Sequence, residues 1–265
     1  MNQGFRASQT PYVATLNDDA VAHPDWLKKM VAAAEKRPRA GMFASEVRLN
    51  EHQLDSAGML VAADGSSKQR GHGEPPLNFA HTEDALLPSG SAALYRRKML
   101  DEIGLFDESF FLYCEDTDLG LRGRRAGWEC GYVPGAIVEH RYSHSAGRAS
   151  LLKAYYVERN RLYTAIKNFP PGMLLLAPFA SLARYFWHLA SILEGRGKAA
   201  EFRAAGQSAS LLPFLVFRAH AAALFRLPRL WRKRREIRPA AKLSVKEFAA
   251  LLRKNSITLR QVAAL

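Results

Sequence analysis

Three carboxylates fall within four residues at Glu115-Asp116-Thr117-Asp118, directly after the aromatic run Phe110-Phe111-Leu112-Tyr113. Acidic residues in a first helical turn offset the helix dipole, and Asp118 is spaced to pair with Arg122 at i+4. That account covers Asp118 better than Asp116, which the aromatics would set at the edge of an apolar pocket. A carboxylate there has its pKa raised towards values useful in a general base. A second acidic group, Asn17-Asp18-Asp19, closes the β-prone run Tyr12-Val13-Ala14-Thr15-Leu16. Adjacent carboxylates at the C-terminal end of a strand can bind a hard divalent cation, and α/β sheets place ligands at that end. Taken alone, the triplet fits a turn with Asp at favoured positions better. His140 follows the strand-like Ala136-Ile137-Val138. A single histidine is usually structural, and metal ligation is the alternative. His72, His81 and His144 lie in polar segments and receive no role.

The elements that must hold these groups alternate between two periods. Pro24 opens a helix in which Trp26, Leu27, Met30, Val31 and Ala34 recur at helical spacing. Met42 to Leu49 reads as a strand, and Met59 to Ala62 with the Asp64-Gly65 turn as a hairpin or loop. Ala92 to Tyr95 is a short strand, and Met99 to Ile103 a brief helix closed by Gly104. Asp116 to Ala126 is the next helix, ended by Gly127. Trp128 to Val133 and Ala136 to Val138 are two further strands. Alternation of this kind predicts an α/β sheet domain over residues 1–147.

Composition separates that part from the rest. Of 265 residues, 48% are hydrophobic and 24% charged, which excludes a disordered tail, a collagen-like fibre and a disulfide-rich mini-protein. Cys114 and Cys130 could form at most one bridge, which suggests a reducing compartment. No apolar run follows the first residues, so no secretory signal is predicted. Residues 1–147 hold 16 Lys and Arg against 20 Asp and Glu, a net of −4, whereas 148–265 hold 22 against 5, a net of +17. An acidic front joined to a basic back suggests a polyanionic surface facing the back.

Residues 148–242 read as a basic, apolar helical region. The charge-free stretch from Phe169 to Ala183 is 15 residues, short of the roughly 20 that a spanning helix needs. With the cluster Arg229-Leu230-Trp231-Arg232-Lys233-Arg234-Arg235, these helices suit an anionic membrane interface. A basic-faced subdomain packed on the sheet is the alternative. Nucleic acid would also draw on the cluster, but no recognisable nucleic-acid motif accompanies it, so no such partner is expected. Ser244-Val245-Lys246-Glu247 is a capping box opening a short helix within 243–265.

Several motifs in order now carry a resemblance. Asn2-Gln3-Gly4-Phe5, a strand, Asn17-Asp18-Asp19 and Pro24-Asp25-Trp26-Leu27 resemble family 2 glycosyltransferases of the rhamnosyltransferase-like branch. So do Ser89 to Arg97 and, most specifically, Gly104 to Leu119, continuing to Arg122, Gly127-Trp128, Pro134, His140 and Ser143. The resemblance runs from Asn2 to about Arg161, where Arg159-Asn160 also fits. It implies the GT-A fold, a nucleotide-binding α/β sandwich, and an inverting enzyme of the hexosyltransferase type. The donor would be a nucleotide sugar, with rhamnose suggested by the branch, and the acceptor a glycan or lipid-linked glycan. Asp19 corresponds to the direct ligand of Mg²⁺ or Mn²⁺ and Asp18 lies nearer the donor sugar or ribose. Asn17 stands where some members have Asp. Asp116 matches the catalytic base, with Glu115 beside it in the donor or acceptor pocket that Gly90 and Ser91 also line. His140 matches a histidine that completes the metal site in some relatives.

Members of that family normally carry an earlier strand and a loop gripping the base, so the sequence also predicts an N-terminally incomplete nucleotide-binding half. A non-catalytic relative acting at a membrane surface is the competing expectation. Either would work as a peripheral protein on the cytoplasmic face of the membrane.

Overall fold

The computed structural model describes residues 1–82, 84–140, 150–193 and 211–264; Ser143 and His144 lie outside them. The front part contains α1 (Asn2–Ala7), β1 (Tyr12–Leu16), β2 (Ala20–Ala22), α2 (Trp26–Lys36), β3 (Ala40–Asn50) and β4 (Gln53–Ser56). It continues with β5 (Met59–Val61), β6 (Ser67–Gln69), β7 (Ala92–Arg96), α3 (Arg97–Ile103), α4 (Glu115–Arg125) and β8 (Glu129–His140). A six-stranded mixed sheet runs β1-β7-β3-β8-β2, with β4 bonded to β3. The central β3 and β8 are parallel and the other pairings antiparallel. β1 is an edge strand, bonded to β7 alone.

Side-chain alternation divides the core between the two faces of the sheet. Phe43, Val47, Ala92 and Leu94 point to one face, where Trp26, Met30 and Ala34 of α2 meet them at i, i+4, i+8. Met42, Ala44, Ala93 and Tyr95 point to the other, covered by Met99 and Leu100 of α3, Leu119 of α4 and Phe5 of α1. Gly104 ends α3 at a positive φ of 78° that favours glycine, its N–H donating to the Leu100 carbonyl at 2.8 Å.

One element differs from its sequence reading. The two readings, Trp128 to Val133 and Ala136 to Val138, merge into a single strand, β8, which starts at Glu129, with Pro134-Gly135 absorbed as an irregularity opposite Ser45/Glu46. Pro134 cannot donate to the ladder, and the chain bulges there rather than breaking because Glu46 Oε2 accepts the Gly135 N–H at 2.8 Å.

The helical part contains α5 (Leu151–Asn168), α6 (Pro171–Leu193), α7 (Leu212–Phe225), α8 (Leu227–Glu236), α9 (Val245–Lys254) and α10 (Leu259–Ala264). Buried charge ties it to the front part. Arg161, 1% exposed, donates to the Asp64 carbonyl at 3.0 Å and pairs with Glu158, which also pairs with Arg184 of α6 at 2.6 Å. Both bonds of the Ser244/Glu247 capping box are present. No helix of the described residues is long and apolar enough to cross a membrane. Cys114 and Cys130 are both free thiols.

The basic cluster is not uniformly available to an anionic surface, as its sequence suggested. Lys233 pairs with Asp107, and Arg234, 8% exposed, donates to the carbonyls of Ile166 at 2.8 Å and Phe169 at 2.6 Å. Arg229, Arg232 and Arg235 are exposed. The i, i+4 geometry of a helix turns half of such a run inward whatever its charge.

Candidate active site

Asp116 sits in the first turn of α4, behind a loop with unusual backbone. Phe111, Tyr113 and Cys114 all have φ near 66°, a left-handed conformation that costs a non-glycine residue energy unless its surroundings impose it. The imposing group is Asn160 of α5, whose amide nitrogen lies 2.9, 2.6 and 2.8 Å from the carbonyls of Phe110, Leu112 and Tyr113. Arg159 adds bonds to the Ser109 and Phe110 carbonyls at 3.1 and 2.7 Å. Arg159-Asn160, matched only as a motif in the sequence, thus clamps the loop that presents Glu115 and Asp116.

The aromatic run before Asp116 divides between core and solvent. Phe110 turns into the core against Tyr163, while Phe111 is 70% exposed. Gly90 N donates to Asp116 Oδ2 at 2.8 Å, and Thr117 donates to Oδ1 through its N–H at 2.6 Å and its hydroxyl at 3.2 Å. A Cβ at position 90 would stand 3.2 Å from Asp116 Cβ and Oδ2, so the close approach uses the absence of a side chain. Burial raises the Asp116 pKa, with the Gly90 and Thr117 bonds pulling against it. Glu115 is pushed up to about 7 by burial and by the Asp116 charge, and its buried Oε2 has no hydrogen-bond partner.

Asn17-Asp18-Asp19 forms the tight connection between β1 and β2, so the turn reading holds, and it also borders the Gly90-Ser91 loop. The Asn17 N–H donates to the Ser91 carbonyl at 2.9 Å. Asp18 is exposed and Asp19 half-buried. At the end of β8, His140 Nε2 lies 3.1 Å from Asp19 Oδ1, and His140 Nδ1 lies 2.9 Å from Asp55 Oδ2. Asp55 is 1% exposed and also meets His72 Nδ1 at 3.1 Å. Burial opposes ionisation of Asp55, yet the hydrogen bonds from His140 and His72 hold its pKa low. The bond to Asp55 raises the His140 pKa against the effect of burial, with Asp19 adding to it.

Sequence reasoning missed Asp55 and gave His72 no role. Asp55 stands on β4 in the unremarkable run Gln53-Leu54-Asp55-Ser56, and only the pairing of β4 with β3 brings it to His140. No signal in the sequence marks it.

Among the described residues no group of three or more His, Cys, Asp or Glu is arranged to hold a metal ion. Asp19 Oδ1 and His140 Nε2 are the two donors placed to share one. A carboxylate on the far ring nitrogen, as Asp55 provides, orients a ligating histidine and makes it more basic. Two protein donors fit a cation completed by phosphate oxygens and water, as Mg²⁺ sites at nucleotides commonly are.

The family profile described as "Glycosyltransferase like family 2" matches residues 1–165. The chain belongs to this family. Within it, the N-acetylglucosaminyl-diphospho-decaprenol L-rhamnosyltransferase of Mycobacterium tuberculosis is 34% identical over 164 residues, covering 55% of this chain and 52% of the relative. The chain therefore spans about half the length of these relatives. The rhamnosyltransferase WbbL of Escherichia coli K12 is 39% identical over 67 residues, 25% of each chain. The structure of GalNAc-T7 with UDP, GalNAc and Mn²⁺ aligns with a TM-score of 0.51 at 13% identity, over 69% of this chain and 36% of the other. That likeness is one of fold. The family-2 chain has a mixed α/β sheet resembling a GT-A sandwich, followed by a basic helical region.

Proposed function

We propose that this family-2 chain transfers a sugar, with inversion, from a nucleotide diphosphate to a hydroxyl of a glycan or lipid-linked acceptor. The observation that carries the proposal is Asp116: a carboxylate with a raised pKa, tethered through both oxygens to backbone N–H groups beside a side-chain-free loop residue. Oδ1 accepts from both the N–H and the hydroxyl of Thr117, whereas Oδ2 accepts only from the Gly90 N–H and keeps a lone pair, so through Oδ2 Asp116 can take the acceptor proton as the acceptor oxygen forms its bond to the anomeric carbon. The bond from that carbon to the diphosphate breaks in the same displacement. Gly90 and Ser91 line the sugar pocket beside Asp116, Glu115 contacts donor or acceptor, and Asp18 lies towards the ribose. Asp19 and His140 would hold Mg²⁺ or Mn²⁺, and the chemistry such an ion would supply there is neutralisation of charge on the departing diphosphate. Names of the relatives support a rhamnose donor and a lipid diphosphate acceptor for this chain.

Calorimetric titration with deoxythymidine diphosphate-rhamnose, with and without Mn²⁺, tests the metal assignment. Asp19→Ala is expected to abolish the Mn²⁺-dependent gain in affinity and His140→Ala to reduce it. Asp55→Asn, which removes the carboxylate behind His140 and His72 but neither of the two proposed metal donors, is expected to weaken Mn²⁺ affinity roughly 10- to 100-fold. Unchanged Mn²⁺ dependence in all three would make this cluster structural.

The Glu115/Asp116 pair sets the pH dependence. Two neighbouring carboxylates raise each other's pKa, so activity should rise with pH as the pair loses its protons. Glu115→Gln removes one negative charge, which lowers the Asp116 pKa and moves the acidic limb of the kcat/KM profile to lower pH. A limb that stays in place in this variant would show that the pair does not control the base.

The same reading places the chain at an anionic membrane face. Leu175, Phe179, Leu182, Phe186 and Leu189 recur every three or four residues along α6, and each is more than half exposed. An apolar stripe of that length facing water is unusual in a protein that touches only water.

A further inference from the structure

The aromatic run before Glu115 was expected to build a pocket, and one of its rings does something else. Phe111 combines a left-handed backbone (φ 66°) with a ring that is 70% exposed, two unfavourable features held in place by the Arg159 and Asn160 bonds to neighbouring carbonyls. The ring is not isolated. Its centroid lies 5.4 Å from that of Tyr156, which lies 5.2 Å from Tyr155. The Arg218 guanidinium of α7 lies over Tyr155 at 5.0 Å and 5.9 Å from the ring of Phe214. Phe214 and Phe217 are 57% and 70% exposed, and they begin an apolar face that continues with Leu224 and Phe225. A line of stacked groups therefore joins the loop that presents Asp116 to an exposed apolar helix face.

Two guanidinium groups lie over those rings: Arg159, over Tyr156 at 4.6 Å and Tyr155 at 5.8 Å, is buried and committed to the Ser109 and Phe110 carbonyls, whereas Arg218 is exposed and makes no ion pair with the described residues. Exposed Arg226, between α7 and α8, and exposed Arg229, Arg232 and Arg235 on α8 follow it in the chain and add anion-attracting charge to the surface. A water-borne nucleotide sugar has no use for an apolar approach of this kind. A lipid carrying its sugar on a diphosphate does: its chain stays with the bilayer at Phe214 and Phe217, its diphosphate meets a guanidinium, and its sugar reaches the catalytic loop.

We infer that Phe111, Tyr156, Tyr155 and Arg218 form the lane by which a membrane-held, diphosphate-linked acceptor reaches Asp116, with Arg218 as the diphosphate contact. This inference rests on the glycosyl transfer reading above and adds the acceptor's route and anchoring residue. Arg218 binds the diphosphate from the side of its tail, and the rings give the acceptor sugar a face to slide and stack on.

Vesicle flotation tests it without any turnover. The full chain is floated with phosphatidylcholine vesicles carrying a long-chain polyprenyl diphosphate that bears one N-acetylglucosamine, and with vesicles brought to the same surface charge by phosphatidylglycerol. The expected result is a preference of roughly fivefold for the diphosphate lipid, the contribution of one well-placed basic residue. Arg218→Glu and Phe111→Ala should each lose that preference while still floating with phosphatidylglycerol vesicles. Both side chains are exposed, so neither change threatens the fold, and Phe111→Ala leaves the charge untouched. Equal binding of the native chain to both vesicles, or a preference that survives in both variants, would overturn the lane. Failure of the glycosyl transfer reading would appear elsewhere, as no sugar transfer by the native chain to any acceptor.

Discussion

Asp116→Asn is expected to reduce sugar transfer by roughly 10²- to 10⁴-fold, the range for loss of a positioned general base, with donor affinity nearly unchanged. The donor term follows from the proposed role, since the proton that Asp116 removes belongs to the acceptor. The structure adds a complication that the measurement must include. Asp116 accepts from the Gly90 N–H through one oxygen and from the Thr117 N–H through the other. An asparagine can accept on only one side, and its amide group would face the remaining N–H donor to donor. The variant therefore loses a hydrogen bond, and its melting temperature should fall slightly. Transfer rate, donor affinity and melting curve measured together separate the two effects. Turnover at the native rate would remove Asp116 from the chemistry.

The second large effect lies two residues away and has the opposite character. Asp118→Ala is expected to destabilise the chain by about 3–5 kcal/mol, the range for breaking a buried ion pair from one side. Asp118 is fully buried and meets Arg122 Nε at 3.0 Å, Lys167 Nζ at 2.8 Å and Asn168 Nδ2 at 2.9 Å. Its removal strands Lys167, itself 2% exposed, with Asp107 as its remaining counter-charge. Burial opposes ionisation of Asp118, but Lys167 and Arg122 together hold its pKa below the usual carboxylate range. A carboxyl group with a lowered folded-state pKa contributes its stability above the unfolded value and loses it as pH falls. Denaturant midpoints of the native chain should therefore drop as pH falls through and below the normal Asp range, and the drop should be smaller in Asp118→Ala. A loss of less than about 1 kcal/mol at neutral pH would place this cluster among weak surface pairs.

The contrast between these two carboxylates shows what could be read without the fold. Helix α4, its acidic first turn and the Asp118–Arg122 pair were legible because their partners lie within one helical turn. The same holds for the Ser244/Glu247 cap, for α2 with its apolar stripe, for the short strands β1 and β7, and for the glycine that closes α3. In each case the stabilising contact is local, and the 3.6- and 2-residue periods print it directly into the sequence. Ordered motifs from Asn2 to Arg161 carried the family, which residues 1–165 match.

Tertiary structure alone decided which groups meet. Asp55 joins His140 across 85 positions, Asn160 grips a loop about 50 positions earlier, and Lys233 pairs with Asp107 across 126. It also turned Phe110 inward and Phe111 out, brought the backbone N–H of Gly90 against Asp116, and took Lys233 and Arg234 out of the basic cluster. Such outcomes depend on strand order and on how helices dock, and a residue's own neighbours in sequence contain almost none of that information. By itself the sequence determined the elements, the family and the residue types able to do chemistry. The sheet order and the packing of α5 against the α4 loop determined their partners, because a carboxylate's pKa and a loop's conformation are set by what lies within a few ångströms in space.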